Sequence, residues 1–380
     1  MIKKYLFLLM AGLLVACSGE QDNTDPPAEL VKFDASAKVV KLWHTSTGSG
    51  VQQQYIKLYP LLLDDRLVVA DRSGIITAIS LNDGQQLWST DLDVVLSGGV
   101  GGDQSQYFVT SRDGELISIA SDGKVSWRQN ISTEVLTPPV LADGHVIVRG
   151  VDGAILALTT NSGEQAWIYK RDVPALSLRG TSKPVISFGR IYNGLDNGRL
   201  VVLDAKDGRA LYDVAVAIPT GRTELERIVD IDGQAVLRDG VLYMASYQGR
   251  VVAIDVRRGQ LSWARKMSSV SGVELSASYL FSSDERDHIW ALDKNNGATL
   301  WKQEKLKARQ ISLPVSMGDT LVVADNQGYL HWLSQYDGHF IARILVDDSG
   351  IIVPPVVKGD RVYVQDRDGT VSAFQLVPDK

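Results

Sequence analysis

Short apolar runs separated by polar turns make up most of this 380-residue chain. LVVA at 67–70, VIVR at 146–149, VLYM at 241–244, LVVA at 321–324 and VYVQ at 362–365 are rich in β-branched side chains and bounded by Gly, Asp and Asn. That is the pattern of strands joined by hairpins. An apolar period of 3.6 does not persist for three turns beyond the first twenty residues, so the folded part reads as all-β. The runs also repeat at longer range. A Gly, or an Asp in its place, opens a strand at Gly74, Gly114, Gly153, Gly198, Gly249, Asp287, Gly328 and Gly369, at intervals of 40, 39, 45, 51, 38, 41 and 41 residues. Strand-rich repeats near 40 residues predict the blades of a β-propeller.

Each unit divides into four strands. The innermost begins near Pro60, Val100, Pro139, Pro184, Ala235, Val273, Pro314 or Pro355. Proline suits the first residue of a strand, where its missing N–H costs no ladder bond. The third carries a small residue at its fifth position (Ala78, Ala157, Ala253, Ala291, Ala373), read as room for the next blade to approach. The fourth follows an Asn-Asp-Gly type turn and ends in an aromatic: Trp88, Trp127, Trp167, Tyr212, Trp263 and Trp301, with Ala342 the exception. These rings are expected to wedge between blades, each burying on the order of 200 Å².

The last unit passes Gly369 but ends before a fourth strand can form, and Val39-Val40-Lys41-Leu42-Trp43 supplies one, ladder tryptophan included. Eight blades need roughly 320 residues, and 39–376 provides 338. The expected fold is therefore an eight-bladed β-propeller of four-stranded blades over 39–380, its last blade closed by the N-terminal strand. Such closure removes the open sheet edge that invites aggregation.

The front of the chain reads differently. Lys3-Lys4 followed by apolar Tyr5–Ala16 is a secretory signal over 1–16, too short to span a bilayer as a helix. Leu14-Val15-Ala16-Cys17 resembles the lipobox of bacterial lipoproteins, which implies cleavage before Cys17 and its lipidation. Cys17 is the chain's single cysteine, so a disulfide within the chain is impossible. Ser18 in place of Asp implies, by the same resemblance, the outer rather than the inner membrane. Residues 17–38, polar and Pro-containing, read as a lipidated tether with a reach of about 25 Å if it behaves as a flexible coil. Loss of Lys3 and Lys4 takes the net charge from −6 to −8, and no basic stripe remains to suit nucleic acid.

Catalytic and metal motifs are weak. The five histidines fall in different units without His-x-His or His-Glu-x-x-His spacing. Asp366-Arg367-Asp368-Gly369 lacks the calcium-loop ligand series and reads as turn chemistry. Gly98-Gly99-Val100-Gly101-Gly102 has no helix after it to hold a pyrophosphate. The repeat resembles that of quinoprotein dehydrogenases, also eight-bladed, but the adjacent cysteine pair many of them use is missing, and a shared scaffold does not carry an activity. No enzyme, cofactor or metal is expected.

The period fails informatively in two places. Extra residues follow Trp167, at 169–180, and Tyr212, at 219–232. Lengthened loops cost little and are where binding surfaces are built on rigid scaffolds. Both lead from a fourth strand to the next innermost strand, so they emerge on one face, on adjacent blades. Leu176 and Leu178 beside Arg179, with Asp230 and Asp232 across the gap, predict an apolar anchor rimmed by opposite charges, as suits a protein interface. The alternative is structural: the leucines cap the core and Arg179 pairs internally with Asp230.

The lipobox, the aromatic ladder, Pro-Ala-Leu-Ser-Leu-Arg-Gly at 174–180 and Ile-Val-Asp-Ile-Asp at 228–232 together resemble the BamB family of outer membrane protein assembly factors, over essentially the whole chain. The resemblance implies a non-catalytic, lipid-anchored scaffold of the β-barrel assembly machinery at the periplasmic face of the outer membrane. It implies docking onto the POTRA domains of BamA through Leu176, Leu178, Arg179, Asp230 and Asp232. Unfolded outer membrane protein substrates are a further expected partner, pairing with propeller edges by β-augmentation. The competing readings are a periplasmic sugar or cell-wall binder using the central funnel, and a quinoprotein-like enzyme.

Overall fold

The structure is a computed structural model that describes residues 25–52, 54–178, 180 and 182–378. Eight four-stranded antiparallel sheets, each ordered from the inside outwards as A-B-C-D, are found among these residues. Blade 1 is Leu61–Leu62, Arg66–Ala70, Ile75–Ser80 and Gln86–Asp91. In blade 8 strands A to C are Val356–Lys358, Arg361–Gln365 and Thr370–Pro378, and strand D is Ala37–Ser46 from the front of the chain. Trp43 pairs with Ala373 in that seam. Closure by the N-terminal strand is as the sequence predicts. A 3₁₀ turn at Leu225–Arg227 interrupts the second inserted loop.

Strands B and C carry the core. Their central residues are buried on both faces, as in Arg66–Ala70 and Ile75–Ser80, because each blade is sandwiched between two others. Strand D is the exposed outer edge, and there the ladder aromatics lock one blade to the next. The Trp88 indole N–H donates to the Ser121 carbonyl of blade 2 at 3.0 Å, and the same bond recurs from Trp127 to Thr160, Trp167 to Ala205, Trp263 to Lys294 and Trp301 to Gln335. Tyr212 reaches Val256 with its hydroxyl, and Trp43 reaches Leu81. Each ring covers the glycine of its neighbour's C–D turn. A Cβ on Gly123 would stand 2.7 Å from the Trp88 ring, and one on Gly208 2.4 Å from Trp167. These turn glycines combine positive φ with a ring at van der Waals distance, so only Gly fits.

The small residue at the fifth position of strand C packs in a cluster shared with the next blade, as expected, and has a second reason as well. It lies directly across the sheet from the ladder ring: Ala78 opposite Trp88, Ala157 opposite Trp167, Ala253 opposite Trp263, Ala291 opposite Trp301. A β-bulge falls beside this pair in every blade, for example between Ala78 and Ile79, and bulges locally bend and twist a strand. Blade 7 inverts the pair, with Trp332 on strand C facing Ala342 on strand D. Trp332 is fully buried. The apparent gap at Ala342 is thus a large-for-small exchange across two strands. Asp287, the other departure, sits at φ +62° and accepts N–H bonds from Gln310 and Ile311 at 2.8 and 3.1 Å, which Gly could not offer.

Part of the segment expected to be a tether is packed. Phe33 stacks on Phe340 with ring centroids 5.4 Å apart, and Val31 joins the same apolar cluster. The Arg343 guanidinium lies over both rings, at 5.0 and 4.9 Å, and donates to the Val31 carbonyl. Ala28 bonds Lys307 and Arg309, and Ser36 donates to Ile341. Two aromatic–cation contacts of about 0.5–2 kcal/mol each hold residues 28–36 along the rim of blade 7, and Asp25 pairs with Lys307 at 2.6 Å. Residues 1–24, and Cys17 with them, lie outside the described residues.

Candidate docking face

Both inserted loops connect strand D of one blade to strand A of the next. They run from Gln165–Tyr169 to Val185–Ser187, between blades 3 and 4, and from Ala210–Ala215 to Val236–Arg238, between blades 4 and 5. Strands alternate in direction, so all D–A connections share one face of the wheel and all A–B turns share the other. The sequence-predicted neighbourhood of the two loops is present.

The loops are pinned from inside and apolar outside. Ile228, Val229 and Ile231 are buried, and the Tyr247 N–H donates to the Asp230 carbonyl at 2.8 Å. Beyond this anchor, Arg222 and Thr223 N–H groups bond the Glu226 carboxylate while the Thr223 hydroxyl accepts the Glu226 N–H. This reciprocal clasp holds the 3₁₀ turn and presents Leu225 to solvent. Leu176 and Leu178 are 48% and 41% exposed, and Ile218 and Leu225 are each 66% exposed. The sequence reading missed Ile218 and Leu225, though Leu225 standing alone in the polar stretch 219–227 was an available signal. Exposed apolar groups concentrated on one face mark interaction surfaces.

The acidic pair does not form a rim. Asp230 is fully buried, because the apolar residues around it in 228–231 dock into the blade and carry it inward. Its Oδ2 accepts the Leu178 N–H and so ties the two insertions together. Asp232 turns toward the axial channel, a cavity of about 280 Å³ also lined by Tyr59, Lys183 and Glu274. Arg179, the remaining member of the predicted set, lies outside the described residues.

Beneath the loops the carboxylate oxygens of Asp196, Asp230 and Asp232 lie within 4.8 Å of one another. Arg149, at the end of strand B of blade 3 (His145–Arg149), is 1% exposed and ion-paired with Asp196. Burial pushes the Asp230 carboxyl up to about 6, with Asp196 adding to the rise and the Leu178 N–H and Arg149 opposing it. Burial, then the Asp230 charge, pushes Asp232 up to about 7, against the pull of Arg149 and Lys57. Three such carboxylates match a hard divalent ion in number, but a guanidinium already provides the cation here. In the channel, burial lowers the Lys183 pKa and raises that of Glu274.

Comparison with known proteins agrees with this architecture. A family profile described as outer membrane protein assembly factor BamB matches residues 72–303 and 293–377. The outer membrane protein assembly factor BamB of Yersinia pestis is 36% identical over 381 residues, covering 97% of each chain. The crystal structure of BamB from Moraxella catarrhalis superposes with a TM-score of 0.81 at 28% identity, over 89% of this chain and all of that one. Quinohemoprotein alcohol dehydrogenase from Comamonas testosteroni has the same fold, with a TM-score of 0.71 at 14% identity over 89% of this chain and 76% of its own.

Proposed function

The chain belongs to the BamB family of outer membrane protein assembly factors, and from that premise we propose that it acts as a non-catalytic scaffold docking onto the POTRA domains of BamA within the barrel-assembly machinery. The observation that carries the docking reading is the pair of insertions on adjacent blades: the second is pinned by buried Ile228, Val229 and Ile231, the first is tied to it through Asp230, and both present exposed apolar side chains on the same face. A rigid wheel loses little conformational entropy when such side chains are buried by a partner, which is the advantage of a preorganised surface. Leu176 and Leu178 are the apolar anchors of this reading. Ile218 and Leu225 extend the surface, Asp230 and Asp232 act from beneath it, and Arg179 contributes charge.

In the same reading a lipid on Cys17 holds the protein at the periplasmic face of the outer membrane, and Cys17→Ala releases it to the soluble periplasmic fraction. Replacing Leu176 and Leu178 together by Asp is expected to leave the far-UV spectrum unchanged and to abolish recovery of purified POTRA domains on immobilised protein. Undiminished recovery with the folded double variant removes these residues from the interface.

A further inference from the structure

We propose that Arg149 is a positioning residue of this docking face: a single guanidinium rooted in blade 3 that fixes both inserted loops from below. It rests on the docking reading for its functional meaning, but its structural content stands by itself. Arg149 is remote from both insertions in sequence and emerges where strand B of blade 3 ends. It pairs with Asp196, in the B–C turn of blade 4 between Arg190–Gly194 and Arg199–Asp204. Its Nε and Nη1 have no hydrogen-bond partner among the described residues, and neither do Asp230 Oδ1 or the two Asp232 oxygens. The three carboxylates crowd within 4.8 Å of one another, and Arg149 attracts both Asp230 and Asp232.

The consequence is a chain of contacts from the scaffold to the surface. Arg149 holds Asp196 directly and attracts Asp230 and Asp232 electrostatically. Asp230 in turn fixes the backbone N–H of Leu178, so the exposed leucine of one loop is placed by a buried acid of the other. Buried charges that lack a partner are costly, so removing the guanidinium leaves three acids that must take up protons or drag their loops toward water. Displacement moves Leu178, and proton uptake postpones that movement to the pH at which the acids ionise. Lys57, which faces Asp232 from the segment before blade 1, is the other cation acting on the cluster.

Hydrogen exchange on the isolated full chain tests this without reference to a partner. Above the pH at which its acids ionise, Arg149→Met should speed exchange in peptides covering 172–178 and 226–234 at least tenfold, while peptides of blades 6 to 8 keep wild-type protection. In the wild type, protection of these loops, corrected for intrinsic rates, should fall as pH rises from 5 to 8 and the two acids ionise. In Arg149→Met that fall should move to higher pH, because the attraction that favours ionisation is gone; Arg149→Lys should keep it near the wild-type pH. Unchanged loop protection in Arg149→Met overturns the proposal. So does a loss of protection spread evenly over all eight blades in both variants, which assigns Arg149 to global stability. Binding of purified POTRA domains should weaken at least tenfold in Arg149→Met and recover in Arg149→Lys. If wild-type protein fails to bind them, the docking reading falls while the exchange result still decides the positioning role.

Discussion

Alanine at two turn glycines separates the ladder contact from the cost of backbone conformation. Gly144, in the A–B turn of blade 3, has φ +77°, and an added Cβ meets nothing within 4 Å. Gly123, in the C–D turn of blade 2, has φ +89°, and its Cβ would stand 2.7 and 2.8 Å from Trp88 ring atoms. Both substitutions carry the left-handed penalty of roughly 1–2 kcal/mol. Only Gly123→Ala must also displace the indole, which adds about 1–3 kcal/mol of overpacking. The Trp88 to Ser121 bond in the same turn adds about 1 kcal/mol more if broken. Gly123→Ala should therefore lose roughly 2–4 kcal/mol more stability than Gly144→Ala. Urea unfolding followed by tryptophan emission measures the difference through the two midpoints at a common slope. Equal midpoints would refute the claim that indole-on-glycine contacts weld the blades into the rigid frame that the docking face requires.

Two further outcomes follow from the same contacts. Trp332→Ala should destabilise by about 3–5 kcal/mol, and adding Ala342→Trp should recover part of that loss in thermal melts; a strictly additive double variant would show that the two positions do not form one pair. Asp230, Asp232 and Asp366 have folded pKa values raised to about 6, 7 and 6, so the folded state holds their protons more tightly than the unfolded chain does. Their contribution is present in full below the ordinary carboxylate range and is lost as pH climbs through 6 to 7, at about 1.4 kcal/mol per pKa unit at most. The melting temperature should fall between pH 5 and pH 8, less so in Asp232→Asn, and a rise over that interval would contradict the sign.

The wheel was readable in the sequence because its seven turn-glycine and ring contacts are local on both sides, so each blade leaves the same linear signature. What escaped was non-local. Ala342 looked like a defect because its compensating partner, Trp332, stands on the neighbouring strand, and cross-strand pairing is invisible to spacing along one strand. Asp230 was read as a surface charge because its burial depends on Ile228, Val229 and Ile231 docking into a blade. Arg149 carried no signal, being one more cation at the end of one more strand until the ring brought it beneath Asp196 and Asp230. The strap at 28–36 was masked by the polar composition around Val31 and Phe33, whose docking partners Phe340 and Arg343 lie three hundred residues downstream.

A photo-reactive residue at Leu178, Leu225 or Phe188, in cells carrying the barrel-assembly machinery, puts the docking face to the most direct test. Phe188 is fully exposed in the A–B turn of blade 4, on the opposite face of the wheel from the two insertions. Adducts with BamA should form from 178 and 225 and not from 188. Comparable adducts from 188, or none from either loop, would contradict the assignment of the D–A face as the surface that meets the partner.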